Sequence, residues 1–256
     1  MGMFPKEVYM KTFDFNTLLN TNTYPGRGIC LGIDETGENA VIVYFIMGRS
    51  VNSRNRIFEE SADGIITKAY DESLMTDPHL IIYAPVRDMG DGRIIVTNGD
   101  QTDTIRDFLK EGKTFEEALR TRTFEDDLPN CTPRISGIVE LKDGAAMYKL
   151  SILKSDEHDD SSVQRFFYEY PQPKAGIGHF IHTYKCDGNP IPSFEGEPEK
   201  VTLKGDIEQL ALDTWMNLNE DNKVSLYVSF ISLKDGSADT IIINKHEQEL
   251  PEDEEE

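Results

Sequence analysis

The stretch RGICLGI (Arg27–Ile33), DETGEN (Asp34–Asn39), AVIVYFIM (Ala40–Met47) decides the fold. Two apolar runs flank a polar segment rich in turn formers, which reads as a β-hairpin. Within each run the apolar residues are consecutive rather than alternating, the pattern of strands covered on both faces. Outward from it the same pattern recurs. Leu80–Val86 and Arg93–Thr97 flank Asp88–Gly92, Ile135–Leu141 and Ala145–Leu153 flank Lys142–Gly144, and Val224–Leu233 and Thr240–Asn244 flank Lys234–Gly236. Helices are fewer. Thr102 or Asp103 can cap one that carries Ile105, Phe108 and Leu109 on one side; Gly112 interrupts it and Thr114 restarts it through Phe115, Ala118 and Leu119. A second runs from Asp206 to about Leu218, with Ile207, Leu210, Ala211 and Trp215 at helical spacing.

Antiparallel hairpins with a few helices predict an α+β class, two packed sheets with helices outside. No internal repeat is visible and no linker divides the chain; the segment 156–162 reads as a loop. The expected organisation is an N-terminal extension over 1–21, one domain over 22–246 and an acidic tail over 247–256.

The 256 residues are enough to bury a core, and 38% apolar with 9% aromatic content places the chain among soluble globular proteins. No apolar run is long enough to cross a bilayer, the first residues lack a signal-peptide core, and Lys6 stands where myristoylation needs Ser or Thr. Three scattered cysteines, Cys30, Cys131 and Cys186, fit a reducing compartment, so the expected location is the cytoplasm, with no membrane partner. A net charge of −21 opposes a nucleic-acid partner. Against that background, Val41–Phe58 holds three arginines (Arg49, Arg54, Arg56) and no acid, with Arg27 just upstream. This basic island is either a pocket for a small anion or a set of surface arginines paired to neighbouring carboxylates.

Four blocks carry candidate chemistry. In the first, Tyr24-Pro25-Gly26-Arg27-Gly28 is followed by Gly48–Arg56, where arginines, Ser50, Ser53 and Asn55 leave an apolar strand and suit a phosphate or carboxylate. The second joins Tyr83 to Asn98-Gly99-Asp100-Gln101, a strand exit next to a helix start. The third is Glu125–Ile135, with Glu125, Asp126, Asn130, Thr132 and Arg134 ahead of a strand, and the fourth runs from Gly176 to Tyr184 and on to Pro190–Pro198. Each alone is as well explained by loops and caps. His179 and His182 are three apart in a strand pattern and point to opposite faces, a poor chelating pair. No metal motif, P-loop, dinucleotide fingerprint or serine-hydrolase elbow is present, so no metal or cofactor is expected.

In this order, YPGRG, GRSVNSRNR, IIY, TNGDQTD, DDLPNCTPRI and TY…PIPSFEGEP resemble the archaeal-type IMP cyclohydrolases and their bacterial relatives, over roughly Asn22 to Asn244. The resemblance implies a four-layer αββα sandwich like that of N-terminal-nucleophile hydrolases, without self-processing. It also implies ring closure of 5-formamidoimidazole-4-carboxamide ribotide (FAICAR) to IMP and water, without metal or cofactor, by a protein that assembles into homo-oligomers. Carried over residue by residue, the family's active-site arginine resembles Arg54, with Arg49 competing, its tyrosine Tyr83 and its carboxylate Glu125, with Asp126 beside it. Arg27, Arg49 and Arg56 are then candidates for the ribotide phosphate, and Ser50, Ser53, Asn55, Asn98, Gly99, Asn130, Thr132 and Arg134 for further substrate contacts. Two alternatives stay open: a purine ribotide-binding protein without turnover, and an N-terminal-nucleophile amidohydrolase, which would need cleavage ahead of a nucleophile such as Cys30.

Overall fold

A computed structural model describes residues 12–75, 82–156 and 158–248. Its strands are β1 (Phe13–Asp14), β2 (Arg27–Ile33), β3 (Asn39–Met47), β4 (Ile57–Ser61), β5 (Gly64–Lys68), β6 (Val86–Asp88) and β7 (Arg93–Thr97). They continue with β8 (Arg134–Lys142), β9 (Ala145–Asp156), β10 (Asp159–Tyr170), β11 (Ile177–His182), β12 (Glu199–Thr202), β13 (Lys223–Ser232) and β14 (Ala238–Asn244). The helices are α1 (Phe15–Thr21), α2 (Val51–Arg54), α3 (Gln101–Lys110), α4 (Phe115–Arg120), α5 (Ile207–Asn217) and α6 (Lys245–Gln248). None is long and apolar enough to cross a membrane among the described residues.

The strands make two seven-stranded sheets, ordered β1-β12-β11-β2-β3-β13-β14 and β10-β9-β8-β7-β6-β5-β4. All pairings are antiparallel except the short one between β1 and β12. The hairpin that decides the fold forms as read, with Arg27 opposite Ile46 and Ile33 opposite Ala40. Asp34 shapes its turn, accepting from the backbone N–H of Glu38 and Asn39 and from the Thr36 hydroxyl.

The consecutive apolar runs are explained by what covers each face. Ile29, Leu31, Ile42, Tyr44 and Ile46 meet Val96, Ile135, Leu150 and Ile152 of the other sheet. The intervening Cys30, Val41, Val43 and Phe45 meet Phe15 and Leu19 of α1 and Leu210, Ala211 and Trp215 of α5. On the far face of the second sheet, Ile95, Ile138 and Leu153 meet Ile105 and Leu109 of α3 and Phe115, Ala118 and Leu119 of α4. With its alternate residues facing different neighbours, each central strand is buried on both sides, the condition its composition requires.

Several sequence expectations shift. The helix expected from Thr102 or Asp103 starts earlier, at Gln101 behind Asp100, because Thr102 spends its hydroxyl on Gly99 O and Thr97. The Thr114 restart holds, with a reciprocal cap between Thr114 and Glu117. The strand expected from Leu80 begins only at Val86, and Leu80 and Ile81 lie outside the described residues. Of the expected loop at 156–162, Asp156 ends β9 and Asp159–Ser162 open β10, bulged between Asp159 and Val163, while Glu157 lies outside the described residues. Residues 13–21 of the expected N-terminal extension supply β1 and α1, with Phe15 and Leu19 buried in the outer helical layer.

Candidate active site

Hairpin turns at Asp34–Asn39, Lys142–Gly144 and Ser232–Ser237 gather at one end of the paired sheets. The start of β2, the end of β3, the start of β8 and the end of β11 therefore gather at the other. There a cleft of about 260 Å³ is lined by Arg27, Arg49, Arg56, Glu125, Asp127 and Tyr184, together with Tyr24, Met47, Ser50, Asn52, Ser53, Asn130, Thr132 and Ile191.

Arg27 and Arg56 form its cationic floor. Arg56 is 2% exposed and its charge is held by backbone carbonyls: Nε donates to Ser53 O at 2.8 Å and Nη2 to Met47 O at 3.4 Å. Burial first, and then the neighbouring Arg27 charge, lower its pKa from the usual guanidinium value. Burial also works against the Arg27 charge, but the carboxylate of Glu125, 3.6 Å away, together with Tyr184, Tyr83 and Tyr24, outweighs it, and its pKa rises. Arg27 Nε is buried with no hydrogen-bond partner among the described residues. Burial raises the Glu125 carboxyl above the ordinary carboxylate range, against the opposing pull of Arg27 and Arg134.

The walls are aromatic and hydroxylic. Tyr24 stacks on Tyr184 at 5.7 Å between ring centroids, and the Arg49 guanidinium lies 5.0 Å over the Tyr24 ring. Arg49 is tied at the mouth to the Asp187 carboxylate and to Gly188 O at 3.0 Å. Tyr184 shares a 2.6 Å hydrogen bond with the Thr132 hydroxyl, which also bonds Asp127. Burial pushes the Tyr184 phenol up to about 12, so it is a donor at neutral pH. Ser50 and Ser53 cap the single turn of α2 reciprocally and present their hydroxyls at the mouth.

Of the residues singled out from sequence, the cleft brings together Arg27, Arg49, Ser50, Ser53, Arg56, Glu125, Asn130 and Thr132. Arg54 is not among them. Its side chain is exposed, with Nε donating to Gly48 O at 3.0 Å and Nη2 to Asn222 at 3.3 Å. The physical reason is the turn of α2: it carries Arg54 away, and the chain then straightens so that Arg56 points in. Asn55 enforces this by exchanging two 2.7 Å hydrogen bonds with the backbone of Asp71, which consumes its amide. Tyr83 lies behind the floor, buried, sharing a 2.9 Å hydrogen bond with Tyr44 and within electrostatic reach of Arg27 and Arg56.

Asn98 is likewise consumed, accepting from Ile135 N and Gln101 and donating to Pro133 O. Gly99 has a local role: a Cβ there would come within 2.6 Å of Arg134 Nη1 and 3.7 Å of Glu125 Oε1, so its bareness lets these side chains close up. Arg134 faces Asp100 and Gln101 and reaches Glu125 through its field. Asp126 is exposed and outside the cleft, while its neighbour Asp127 lines it. Sequence reasoning passed over Tyr24, Tyr184 and Asp127 although all three stand in the quoted blocks; hydroxyls and rings next to arginines were the available signal. The expected opposition of the two histidines holds: His179 meets Tyr148 and Tyr170, whereas His182 packs with Phe180 and Phe194. Among the described residues no group of three or more His, Cys, Asp or Glu could hold a metal ion.

A family model described as IMP cyclohydrolase-like protein matches residues 24–236. A Methanopyrus kandleri protein named IMP cyclohydrolase is 28% identical over 195 residues, 67% of this chain and 89% of that protein. A Methanococcus maripaludis protein of the same name is 35% identical over 129 residues, 48% of this chain and 61% of that protein. One from Methanosphaera stadtmanae is 32% identical over 124 residues, 46% of this chain and 59% of that protein.

Proposed function

Since the chain belongs to the IMP cyclohydrolase-like family, we propose that it is an enzyme of purine biosynthesis that closes FAICAR to IMP with loss of water. The observation that carries this reading is the pair of guanidinium groups, Arg56 buried and Arg27 part-buried, facing one buried carboxyl, Glu125, in a cleft with a hydroxyl-lined mouth. An anionic ribotide suits that charge arrangement, and an intramolecular ring closure suits the absence of any need for an enzyme nucleophile.

In the reaction the carboxamide nitrogen attacks the formyl carbon of the same molecule. A C–N bond forms, the formyl oxygen takes one proton from that nitrogen, and a carbinolamine results. Loss of the hydroxyl as water, with the remaining proton of the former formamido nitrogen, makes the new C=N bond. Holding both groups in a near-attack pose is a large part of the work. We assign Arg56 and Arg27 to the developing oxyanion, where donors in a dry site act most strongly. Glu125 carries the proton between nitrogen and oxygen, since its raised pKa makes both forms accessible nearer neutrality. Tyr184, protonated, spends its one O–H on Thr132, which donates in turn to Asp127, and so fixes the wall of the cleft. Arg49, Ser50 and Ser53 at the mouth hold the phosphate. Tyr83 acts behind the arginines through Tyr44.

The same reading includes a four-layer αββα sandwich related to N-terminal-nucleophile hydrolases, one domain over 22–246 that residues 13–21 join, a cytoplasmic location and self-association. The amidohydrolase alternative is disfavoured by Cys30, which lies 1% exposed in the middle of central strand β2, so cleavage before it would cut the core.

The test is turnover: purified protein with FAICAR, with and without a chelator, IMP followed by chromatography. Rapid IMP formation bears the proposal out. Ribotide binding without IMP moves the reading to a binding protein, and absence of both overturns it.

A further inference from the structure

The two sheets leave four edges, and three of them are managed. Strand β1 has two residues. Strands β4 and β14 meet each other: the Asn244 side chain at the end of β14 accepts from Phe58 N at 2.8 Å and donates to Phe58 O at 2.9 Å, pairing with the β4 edge as a strand would. The fourth edge, β10, is twelve residues long. Among the described residues its backbone ladder runs to β9 alone. It holds neither lysine nor proline, and its charged opening Asp159-Asp160 and the bulge block pairing only as far as Val163.

Both hydrophobic layers of the second sheet run out to this edge. Tyr168 and Tyr170 extend the layer between the sheets, Phe167 extends the layer under α3 and α4, and Phe166 is 40% exposed. Past the bulge, the ladder is regular from Val163 to Tyr170, and Pro171 ends it.

We propose that β10 is the interface with a second copy of this chain, pairing antiparallel with the same strand about a two-fold axis at Phe167. In that register Arg165 stands opposite the partner's Glu169 twice over, Phe166 opposite the partner's Tyr168, Gln164 opposite the partner's Tyr170, and Phe167 opposite itself. Within its own chain Arg165 donates Nε and Nη2 to Arg122 O, which leaves Nη1 for the partner, and among the described residues Glu169 is held only by Lys149 at 3.8 Å. Other registers fare worse. Centring on Arg165 sets two arginines face to face, and centring on Ser162, which would pair Arg165 with Asp159, falls on the bulge. Opposite charges and aromatic pairs across strands stabilise an antiparallel pair, and like charges weaken it. The resulting interface is isologous and closed, and it joins two seven-stranded sheets into one.

The net charge of −21 repels a second copy, so association is measured near 0.15 M salt, where the Debye length is about 8 Å. Sedimentation equilibrium is run on the full chain and on Arg165→Glu, Glu169→Arg and the double exchange, with thermal melts to show each remains folded. The expected result is a wild-type dimer, a dissociation constant raised about tenfold or more in each single variant, and recovery in the double exchange. A wild-type monomer overturns the proposal, including one whose β10 edge is covered by another segment of its own chain. So does a dimer indifferent to both reversals, or a double exchange that fails to recover it.

Discussion

The sharpest test of the site is a paired substitution two residues apart, Arg54→Ala against Arg56→Lys. Sequence resemblance points to Arg54, whereas in the structure its guanidinium is spent on Gly48 O and Asn222 outside the cleft. Removing an exposed side chain with those two partners should change kcat/KM by no more than about threefold, the scale of a surface substitution. Arg56 is buried in the floor and offers its remaining N–H groups to the cleft. A lysine keeps the charge but presents one compact ammonium instead of a planar fork, and it cannot serve Ser53 O and an oxyanion together. Losing one preorganised oxyanion donor costs about 2.7–4 kcal/mol of transition-state stabilisation, roughly a hundred- to thousandfold in kcat. Steady-state kinetics on FAICAR, with ribotide affinity measured separately by calorimetry, distinguishes loss of rate from loss of binding. Lysine is used because alanine would leave two buried carbonyls without a donor, and a melting curve checks that the variant is folded. An Arg54→Ala enzyme slowed more than tenfold, beside an Arg56→Lys enzyme that keeps most of its kcat, would refute the assignment.

Three further outcomes are expected. Burial raises the Glu125 pKa, so the acid limb of the kcat/KM profile should lie above the ordinary carboxylate range, and Glu125→Gln should abolish that limb along with most of the rate; a variant whose residual activity keeps the limb would assign it elsewhere. Asn244→Ala removes both hydrogen bonds to the Phe58 backbone and leaves a buried N–H without its acceptor, which should cost about 2–4 kcal/mol in urea unfolding with the m-value unchanged. Burial, aided by Lys200, lowers the His179 pKa to about 4. The unfolded chain therefore binds the proton first, and stability is full above pH 6.5 and lost as pH falls towards 4. About 1–2 kcal/mol is at stake once partial exposure is discounted, and His179→Gln should flatten that slope in pH-dependent unfolding.

The central hairpin was legible because both faces of β2 and β3 are covered, which forces consecutive apolar residues into the sequence. The capped start of α4 was legible because its reciprocal bond is local. Strand β10 was hidden by its polar opening, Asp159–Ser162, where the bulge tolerates residues a regular ladder would not. Helix α1 was hidden because seven residues show too little periodicity to read. In the site, the blocks could be located but not the side chains that face inward. Arg54 and Arg56 have the same parity along an extended chain, and they part only because α2 makes one turn and Asn55 is clamped to Asp71, a contact across sixteen residues. That information is tertiary, and no local pattern carries it.

How the arginines are held also separates the floor of the cleft from arginines whose charge a carboxylate already meets, Arg49 at the mouth among them. Arg87 and Arg134 bond to carboxylates, which neutralise them. Arg56 bonds instead to carbonyls, which satisfy its donors without cancelling its charge. Arg27 has one carboxylate at 3.6 Å and a buried Nε without a partner among the described residues. Two floor cations, Arg56 buried and Arg27 part-buried, thus face one buried carboxyl that burial pushes towards its neutral form, with Asp127 held by Thr132 in the wall. Such a site is under-compensated, an arrangement that destabilises the fold unless an anion completes it. A ribotide whose phosphate and developing oxyanion supply negative charge gains what the folded chain forgoes. Against a net charge of −21 that local excess is selective as well, because the acidic exterior repels anions that cannot reach the arginines.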